Sequence, residues 1–251
     1  TFLLVNHAMT PQDILQLVQS QEIAYIDCCF QEFGGPWQHC TYAASLLTEE
    51  SFTNGFGFDG SVIRGWQELN ESDLLLVPAE ATAAIDPFRD RPTLQLICDI
   101  KDPLTKKTYS RDPRSIARKA EAYLIETGIA DSAVFAPEVE FFVFDNVSFD
   151  QRKEAAHYQV DSVEGKWQRG EKSPANLGQQ IRGYEGYFPM SPNDSLVDLR
   201  AHMCDLLEGM GVPIVAHHHE VATGGQCEID PKAMPLLQAA DAMQRVKYVV
   251  K

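Results

Sequence analysis

Two pairs of glutamates are the residues best suited to hold divalent cations, and the first is Glu138 and Glu140. They lie two apart in the apolar run at 135–144, which predicts a β-strand in the middle of a sheet. Side chains two apart on a strand share a face, so the carboxylates are expected side by side. Buried together, they need cations, basic partners or raised pKa values. Taken alone, such a pair is more often a solvated strand face than a metal site.

The second pair, Glu220 and Glu228, follows three adjacent histidines. On one extended strand these glutamates would be roughly 26 Å apart, at about 3.3 Å per residue. The turn sequence Thr223-Gly224-Gly225 favours a chain reversal that returns both to one end of the sheet. Four glutamates would then converge. Hard oxygen ligands suit Mg²⁺ or Mn²⁺, and paired divalent ions are the usual apparatus of phosphoryl transfer.

The histidines themselves, His217, His218 and His219, leave a zinc site open as the alternative. Neighbouring side chains on a strand point to opposite faces, so at most two of the three could bind one ion. The remaining histidines are then expected to be structural.

Composition bounds the function classes. The chain has 251 residues, 44% of them hydrophobic, which is ample for a packed core, and a net charge of -15. That charge argues against nucleic acid or an anionic membrane as a partner, because both need a positive surface. Of the six cysteines, Cys28 and Cys29 are adjacent and the others are scattered, with no disulfide framework or CxxC pair. No signal peptide or membrane-length apolar run is found. We expect a soluble, cytoplasmic protein.

Periodicity and cap residues predict the main elements. Thr10 and Asp112 are expected as helix N-caps, each followed by proline, and Gly128 and Gly211 as helix ends. A small mixed sheet with a helix across it is expected first. The predicted strands are 23–30, 37–43, 74–78, 93–99 and 213–219, and the predicted later helices are 113–128, 195–210 and 236–251.

Three stretches are interpreted as irregular. Residues 52–65 contain four glycines and predict a loop that must approach another group closely, with a mobile connection as the alternative. Asp59 alone would be ordinary turn chemistry. Residues 101–111 are the best domain boundary, and 150–180 are expected to be a long surface excursion. No glycine-rich phosphate-binding motif is found, so a bound nucleotide would need metals and basic side chains for its phosphates.

Several motifs, taken in their order, resemble class I glutamine synthetases. The main ones are Phe-Asp-Gly-Ser at 58–61, Ala-Pro-Glu-Val-Glu-Phe-Phe at 136–142 and His-His-His-Glu-Val-Ala-Thr-Gly-Gly-Gln at 217–226. Shorter matches stand at 70–73, 85–88, 111–114, 186–189 and 247–250. The resemblance covers nearly the whole chain, although the family's chain is nearly twice as long. It implies an α+β fold, with a small β-grasp-like domain at 1–105 and the first part of the catalytic domain, an antiparallel sheet with helices, at 106–251.

The resemblance also implies a reaction. In this family the side-chain carboxylate of L-glutamate attacks the terminal phosphate of ATP, and ammonia displaces phosphate from the resulting γ-glutamyl phosphate. Two to three Mg²⁺ or Mn²⁺ ions are expected per site. Glu140, Glu220 and Glu228 match ligands of the metal nearer glutamate, and Glu138 matches a ligand of the metal nearer ATP.

Other matched positions handle ammonium and the nucleotide. Asp59 matches the residue that takes a proton from ammonium, supplied by a neighbouring subunit, with Tyr187 and Glu220 as its partners. His218, Val215 and Ala233 match positions around the nucleotide. The resemblance further implies a homo-oligomer, a dodecamer of two hexameric rings, with active sites shared between subunits. The remaining ligands and substrate-binding arginines match positions beyond Lys251, so the 251-residue chain by itself is expected to be inactive.

Three positions depart from the family pattern. Val62 replaces a serine near the ammonium site, Val215 a nucleotide-contacting glutamate, and Ala233 an aromatic residue near the adenine. These changes leave two alternatives open: a related γ-glutamyl ligase that uses an amine, and a non-catalytic structural ring subunit.

Overall fold

The computed structural model describes residues 9–68, 72–165, 167 and 180–251. The chain divides into two compact units. The first contains the residues up to Phe135 together with Gly209–Val212 and Ala233–Lys251. The second contains Ala136–Glu208 and Pro213–Lys232. Helices and strands occur in both, which is the predicted α+β class. The domain division at residue 105 stays a prediction, and the motif at 70–73 lies partly outside the described residues.

Strands outnumber helices in the described part of the chain. The strands are β1 (Tyr25–Gln31), β2 (Trp37–Ala43), β3 (Phe56–Asp59), β4 (Asp73–Pro78), β5 (Ala84–Ile85), β6 (Thr93–Lys101), β7 (Val134–Phe135), β8 (Val139–Phe142), β9 (Asn146–Gln151), β10 (Ala156–Asp161), β11 (Ile214–His219), β12 (Gln226–Pro231) and β13 (Met234–Pro235). The helices are α1 (Pro11–Ser20), α2 (Ser51–Asn54), α3 (Pro113–Glu126), α4 (Val197–Gly209) and α5 (Leu236–Val250). Among the described residues, none of these helices has the length and apolarity needed to cross a membrane.

The main sheet of the first unit is mixed, as predicted. Its strand order is β2-β1-β6-β4-β3, and β5 also pairs with β6. Only β1 and β6 run parallel among these pairs. The apolar strand β6 is central and almost wholly buried, because side chains on both of its faces pack against other elements.

The predicted helix ends are confirmed. Thr10 and Asp13 form a capping box, in which the Asp13 amide donates to Thr10 Oγ1 at 3.2 Å and the Thr10 amide donates to Asp13 Oδ2 at 2.8 Å. The carboxylate of Asp112 accepts bonds from amides in the first turn of α3. Gly128 and Gly211 have positive φ angles of 68° and 82°, the left-handed conformation that ends a helix.

The glycine-rich stretch at 52–65 is more ordered than predicted. It contains α2 and β3, and β3 pairs with β4. A Cβ on Gly55 would lie 2.6 Å from the carbonyl oxygen of Leu76, and one on Gly60 would lie 2.5 Å from Cδ1 of Leu74. The prediction of a loop was therefore wrong for α2 and β3, whereas the predicted close approach is confirmed, because these two glycines let the chain lie directly against β4.

Helix α5 belongs to the first unit and makes several polar contacts within it. Arg114 of α3 donates two hydrogen bonds of 2.9 Å to the carboxylate of Asp241. The buried Arg245 donates to the carbonyl oxygens of Thr82 and Met210. The end of the chain is thus part of this unit's interior, since these bonds join α5 to α3 and to the segment after β4.

The second unit contains a three-stranded antiparallel sheet in the order β11-β12-β8, the hairpin β9–β10, and most of α4. The hairpin occupies part of the stretch predicted as a long surface excursion. Its exposed residues confirm the surface position over 150–161, although the two strands are regular structure that was not predicted. Residues 166 and 168–179 of that stretch lie outside the described residues. Periodicity did not reveal the hairpin because nearly all of its residues are exposed on both faces.

Candidate functional site

A chain reversal joins β11 to β12, as the turn sequence predicts. The amide of Gln226 donates to the carbonyl oxygen of Thr223 at 3.3 Å, and Gly225 has a φ of 87°. The antiparallel register places Glu228 directly opposite His218. Glu220 follows the last residue of β11, so both predicted glutamates return to the same end of the sheet.

His218, Glu220 and Glu228 form a compact group of metal-ligating side chains. One ligand atom from each side chain lies within 4.8 Å of the other two. Among the described residues, this is the one group of three potential metal ligands that meets this distance. His218 Nδ1 lies 3.7 Å from Oε1 of Glu220, and its Nε2 lies 3.6 Å from Oε2 of Glu228. Both carboxylates are buried, with side chains 10% and 8% exposed. Two carboxylates and one imidazole at this spacing suit a divalent cation.

The electrostatics of the group favour a bound cation. Burial raises the pKa of Glu228, and the neighbouring carboxylates of Asp230 and Glu220 raise it further, to about 8. Asp230 Oδ2 lies 3.9 Å from His218 Nε2, while its Oδ1 is buried with no hydrogen-bond partner in the described part of the chain. A divalent ion would reverse the penalty that these acidic groups impose on one another.

The first predicted pair takes a different place. Glu140 is exposed, pairs in register with Glu228, and accepts a 2.6 Å hydrogen bond from Nε2 of Gln226. Glu138 is also exposed and precedes β8. The prediction of a buried mid-sheet pair was wrong, because the strand is only four residues long and lies at the edge of the described three-stranded sheet. The structure brings Glu140 beside Glu228 and leaves Glu138 outside the group.

Aromatic side chains lie against His218. Tyr187 stacks on Phe188 with ring centroids 3.9 Å apart, and the two rings meet the imidazole of His218 edge-on at 5.6 and 4.5 Å. Gly186 allows this approach, since a Cβ there would lie 2.4 Å from the carbonyl oxygen of Glu220. Tyr187 is therefore next to the candidate metal group, and its role at the ammonium site stays a prediction.

His219 is wholly buried behind the group. Its Nδ1 lies 2.8 Å from the carbonyl oxygens of both Gly186 and Glu220, and its Nε2 lies 3.1 Å from Oε2 of Glu164. All of these partners accept hydrogen bonds, an arrangement that favours donation from both ring nitrogens of the imidazole. Burial lowers the pKa of His219, but the hydrogen bond and charge of Glu164 outweigh it and raise the pKa overall. The prediction that at most two of the three histidines serve one ion is consistent with this arrangement.

The remaining candidates are dispersed. Asp59 belongs to the first unit, where the hydroxyl and amide of Ser61 donate to its carboxylate and lower its pKa. Val62, also in the first unit, is 77% exposed. Val215 on β11 is exposed, and Ala233 lies between β12 and β13, also exposed.

Two domain families match this chain. The family described as "Glutamine synthetase, beta-Grasp domain" matches residues 22–103, and the one described as "Glutamine synthetase, catalytic domain" matches residues 110–251. The chain belongs to the glutamine synthetase family. This confirms the resemblance carried by the motifs, and it also confirms the predicted fold of a β-grasp domain followed by part of the catalytic domain.

Relatives and solved structures agree with this membership. The chain is 49% identical over 242 residues to a glutamine synthetase of Microchaete diplosiphon and 48% identical over 245 residues to one of Nostoc sp.. Each match covers 96% of this chain but 51% and 52% of the relative, so the chain spans about half the length of the curated relatives it matches. A cryo-EM structure of Plasmodium falciparum glutamine synthetase aligns with a TM-score of 0.84 at 24% identity, covering 97% of this chain and 48% of that one. That likeness concerns the fold.

Sequence reasoning missed two acidic residues that contact His218 and His219, namely Asp230 and Glu164. Asp230 lies on the same strand as Glu228 and two residues after it, a spacing that places both side chains on one face. Glu164 had no local signal, because its importance comes from contacts with residues 31, 55 and 61 positions away in the chain.

Proposed function

We propose that the protein catalyses the ATP-dependent ligation of ammonia to L-glutamate through γ-glutamyl phosphate. The observation that carries this proposal is the group formed by His218, Glu220 and Glu228, with Tyr187 beside it. The glutamine synthetase family depends in general on ATP and metal ions, and the relatives at 48–49% identity are named glutamine synthetases. No finding favours the amine ligase or the structural ring subunit.

The residues present fit Mg²⁺ or Mn²⁺. Glu220 and Glu228 would supply oxygen ligands, with Glu140 joining them from β8, and His218 would face the nucleotide side of the same group. When bound, the ions would neutralise charge on the transferred phosphate and on glutamate. The buried Glu228, whose pKa is raised to about 8 by burial and by its acidic neighbours, is the feature of this chain that such a cation would relieve.

The remaining site residues would handle ammonium, the second ion and the nucleotide. The exposed carboxylate of Asp59 would take the proton from ammonium in a neighbouring subunit's site. Hydrogen bonds from Ser61 lower its pKa, which keeps it ionised but makes it a weaker base. The ring of Tyr187 would form part of the ammonium pocket together with Glu220. Glu138 would be a ligand of the second ion, nearer ATP, and Val215 and Ala233 would border the nucleotide.

We also propose the domain division at 1–105 and 106–251 and a homo-oligomer of two hexameric rings with shared sites.

Because the reaction consumes ATP, we place the protein in the cytoplasm. Because its net charge is -15, we propose no nucleic acid or membrane as a partner.

The decisive experiment measures glutamine formation from glutamate, ammonium and ATP by the full-length protein, with hydroxylamine and methylamine as competing acceptors. Preference for ammonium is the expected result. Preference for methylamine would favour the γ-glutamyl amine ligase, and no turnover with intact Mn²⁺ binding would favour the structural subunit.

A further inference from the structure

Glu164 is almost completely buried, and every hydrogen-bonding position of its carboxylate is occupied. Oε1 accepts from the amide and the hydroxyl of Ser195 at 2.7 and 2.8 Å. Oε2 accepts from the amide of Gly225 at 2.8 Å and from Nε2 of His219 at 3.1 Å. One side chain thus joins the segment before α4, the β11–β12 turn and the end of β11. A carboxylate with four donors is held in one orientation, since any rotation would break several bonds.

His219 extends this network toward the candidate site. Its other ring nitrogen contacts the carbonyl oxygens of Gly186 and Glu220, each at 2.8 Å. These are the backbone groups of a candidate metal ligand and of the residue before Tyr187. The imidazole therefore connects the fixed carboxylate of Glu164 to the two segments that carry Glu220 and Tyr187.

The backbone around Glu164 and His219 is closely packed. A Cβ on Gly224 would lie 2.6 Å from the carbonyl carbon of Glu164, and one on Gly186 would lie 2.9 Å from Cε1 of His219. The turn after Glu220 is thus packed directly against the backbone of Glu164, and the segment before Tyr187 is packed against the His219 side chain. Small displacements of the carboxylate would be transmitted to Glu220, because packed interiors have no room to absorb them.

We propose that Glu164 is a positioning residue for the cation and ammonium sites, acting through His219 on the backbone of Glu220 and of the Tyr187 segment. This inference rests on the proposed function, which assigns the cation to the group that includes Glu220. Residues that orient metal ligands without touching the metal commonly change affinity by about 10- to 100-fold when they are altered.

The test compares Glu164→Gln with Ser195→Ala in the full-length protein. Glutamine has nearly the same shape as glutamate. Its NH₂ group, however, would face a hydrogen-bond donor at either Gly225 or Ser195, so the side chain at position 164 would no longer be held in one orientation. Ser195→Ala removes a hydrogen bond of the same network and leaves the His219 contact intact. Both variants are expected to lower the melting temperature. Only Glu164→Gln is expected to weaken Mn²⁺ binding about tenfold and to raise the KM for ammonium with a smaller change in kcat.

The outcomes are distinguishable by calorimetry with Mn²⁺ alone, followed by kinetics. Parental Mn²⁺ affinity and KM in a folded Glu164→Gln variant would overturn the inference. Equal losses in both variants would also overturn it, since they would show a purely structural role. If Glu164→Gln does not fold, the His219→Gln variant tests the inference in its place. The glutamine amide can still donate to Glu164 but cannot also reach the carbonyl oxygens of Gly186 and Glu220. Unchanged Mn²⁺ binding in His219→Gln would then contradict the inference. Absence of Mn²⁺ binding in the parent would instead refute the proposed function.

Discussion

Glu228 faces His218 across β11 and β12, with Oε2 of the carboxylate 3.6 Å from Nε2 of the imidazole. On its other side Glu228 faces Glu140 in the register with β8. A single strand position therefore lies between an imidazole and a second carboxylate. Since neighbouring strands are only about 4.7–4.9 Å apart, the register brings Glu140 next to the group formed by His218, Glu220 and Glu228, where its Oε2 accepts a hydrogen bond from Gln226.

The first prediction concerns the cation. We expect Glu228→Gln to weaken Mn²⁺ binding by about tenfold or more, because it removes a buried ligand, and Glu140→Gln to weaken it too. Calorimetric titration of the full-length variants measures the change. Glu154→Gln is the matched control, since Glu154 is exposed in the same unit. Unchanged affinity in both ligand variants would remove the support for the metal assignment.

The second prediction concerns Val62. Valine offers ammonium no hydrogen bond, and a lost hydrogen bond to a charged group costs about 1.5–3 kcal/mol. We expect Val62→Ser to lower the KM for ammonium by about tenfold or more, with much smaller changes for glutamate and ATP. Because Val62 is 77% exposed, the change should not affect folding. Steady-state kinetics in varied ammonium is the measurement, and equal constants in parent and variant would place Val62 outside the ammonium site.

The third prediction is that the 251-residue chain expressed by itself forms no glutamine. The chain spans about half the length of its relatives, and the family's remaining ligands match positions outside it. The measurement is glutamine release by the purified chain in the presence of Mg²⁺ or Mn²⁺, glutamate, ammonium and ATP. Sustained turnover would show that the catalytic layout carried over from the family is wrong.

The fourth prediction uses two glycines of one segment. Gly186→Ala should destabilise the protein by about 1–3 kcal/mol, because the added methyl overpacks the space beside the carbonyl of Glu220. Gly183→Ala is the control, since a Cβ there meets nothing within 4 Å. Urea unfolding of both variants measures the difference. Equal stability would show that the Gly186 segment can move away from β11.

The fifth prediction concerns acid stability. Burial alone raises the pKa of Glu164, but hydrogen bonds from His219, Gly225 and Ser195 outweigh it and hold the pKa at about 2, below the ordinary 4.5. A depressed carboxyl pKa contributes stability that is present above pH 4.5 and is lost as pH falls toward 2, by about 3 kcal/mol at most.

We therefore expect the stability difference between parent and Glu164→Gln to shrink as pH falls from about 5 to about 2.5. Urea unfolding at several pH values measures this difference, with Glu154→Gln for comparison because its carboxylate is exposed. A difference that stays constant across this range would mean that folding does not lower the pKa of Glu164.

The sequence predicted those features that depend on local chemistry. Thr10 and Asp112 cap helices because their side chains bond amides a few residues away, and the glycines at 224 and 225 reverse the chain between Glu220 and Glu228. Tertiary context decided the rest. The run at 135–144 has the composition of a central strand, yet only four of its residues form β8 at a sheet edge. Glu164 could not be recognised at all, since its partners come together only after folding.

The division of the chain into units has a consequence for its synthesis. The first unit includes Ala233–Lys251, so the segment up to Phe135 lacks α5 and the hydrogen bonds of Arg245 until those last residues have been made. At about 5–20 residues per second, the ribosome needs several seconds to add the roughly one hundred residues in between. During that interval the faces that α5 covers are open to solvent. A nascent chain of this protein should therefore be a better chaperone substrate before Ala233 emerges than after Lys251 does.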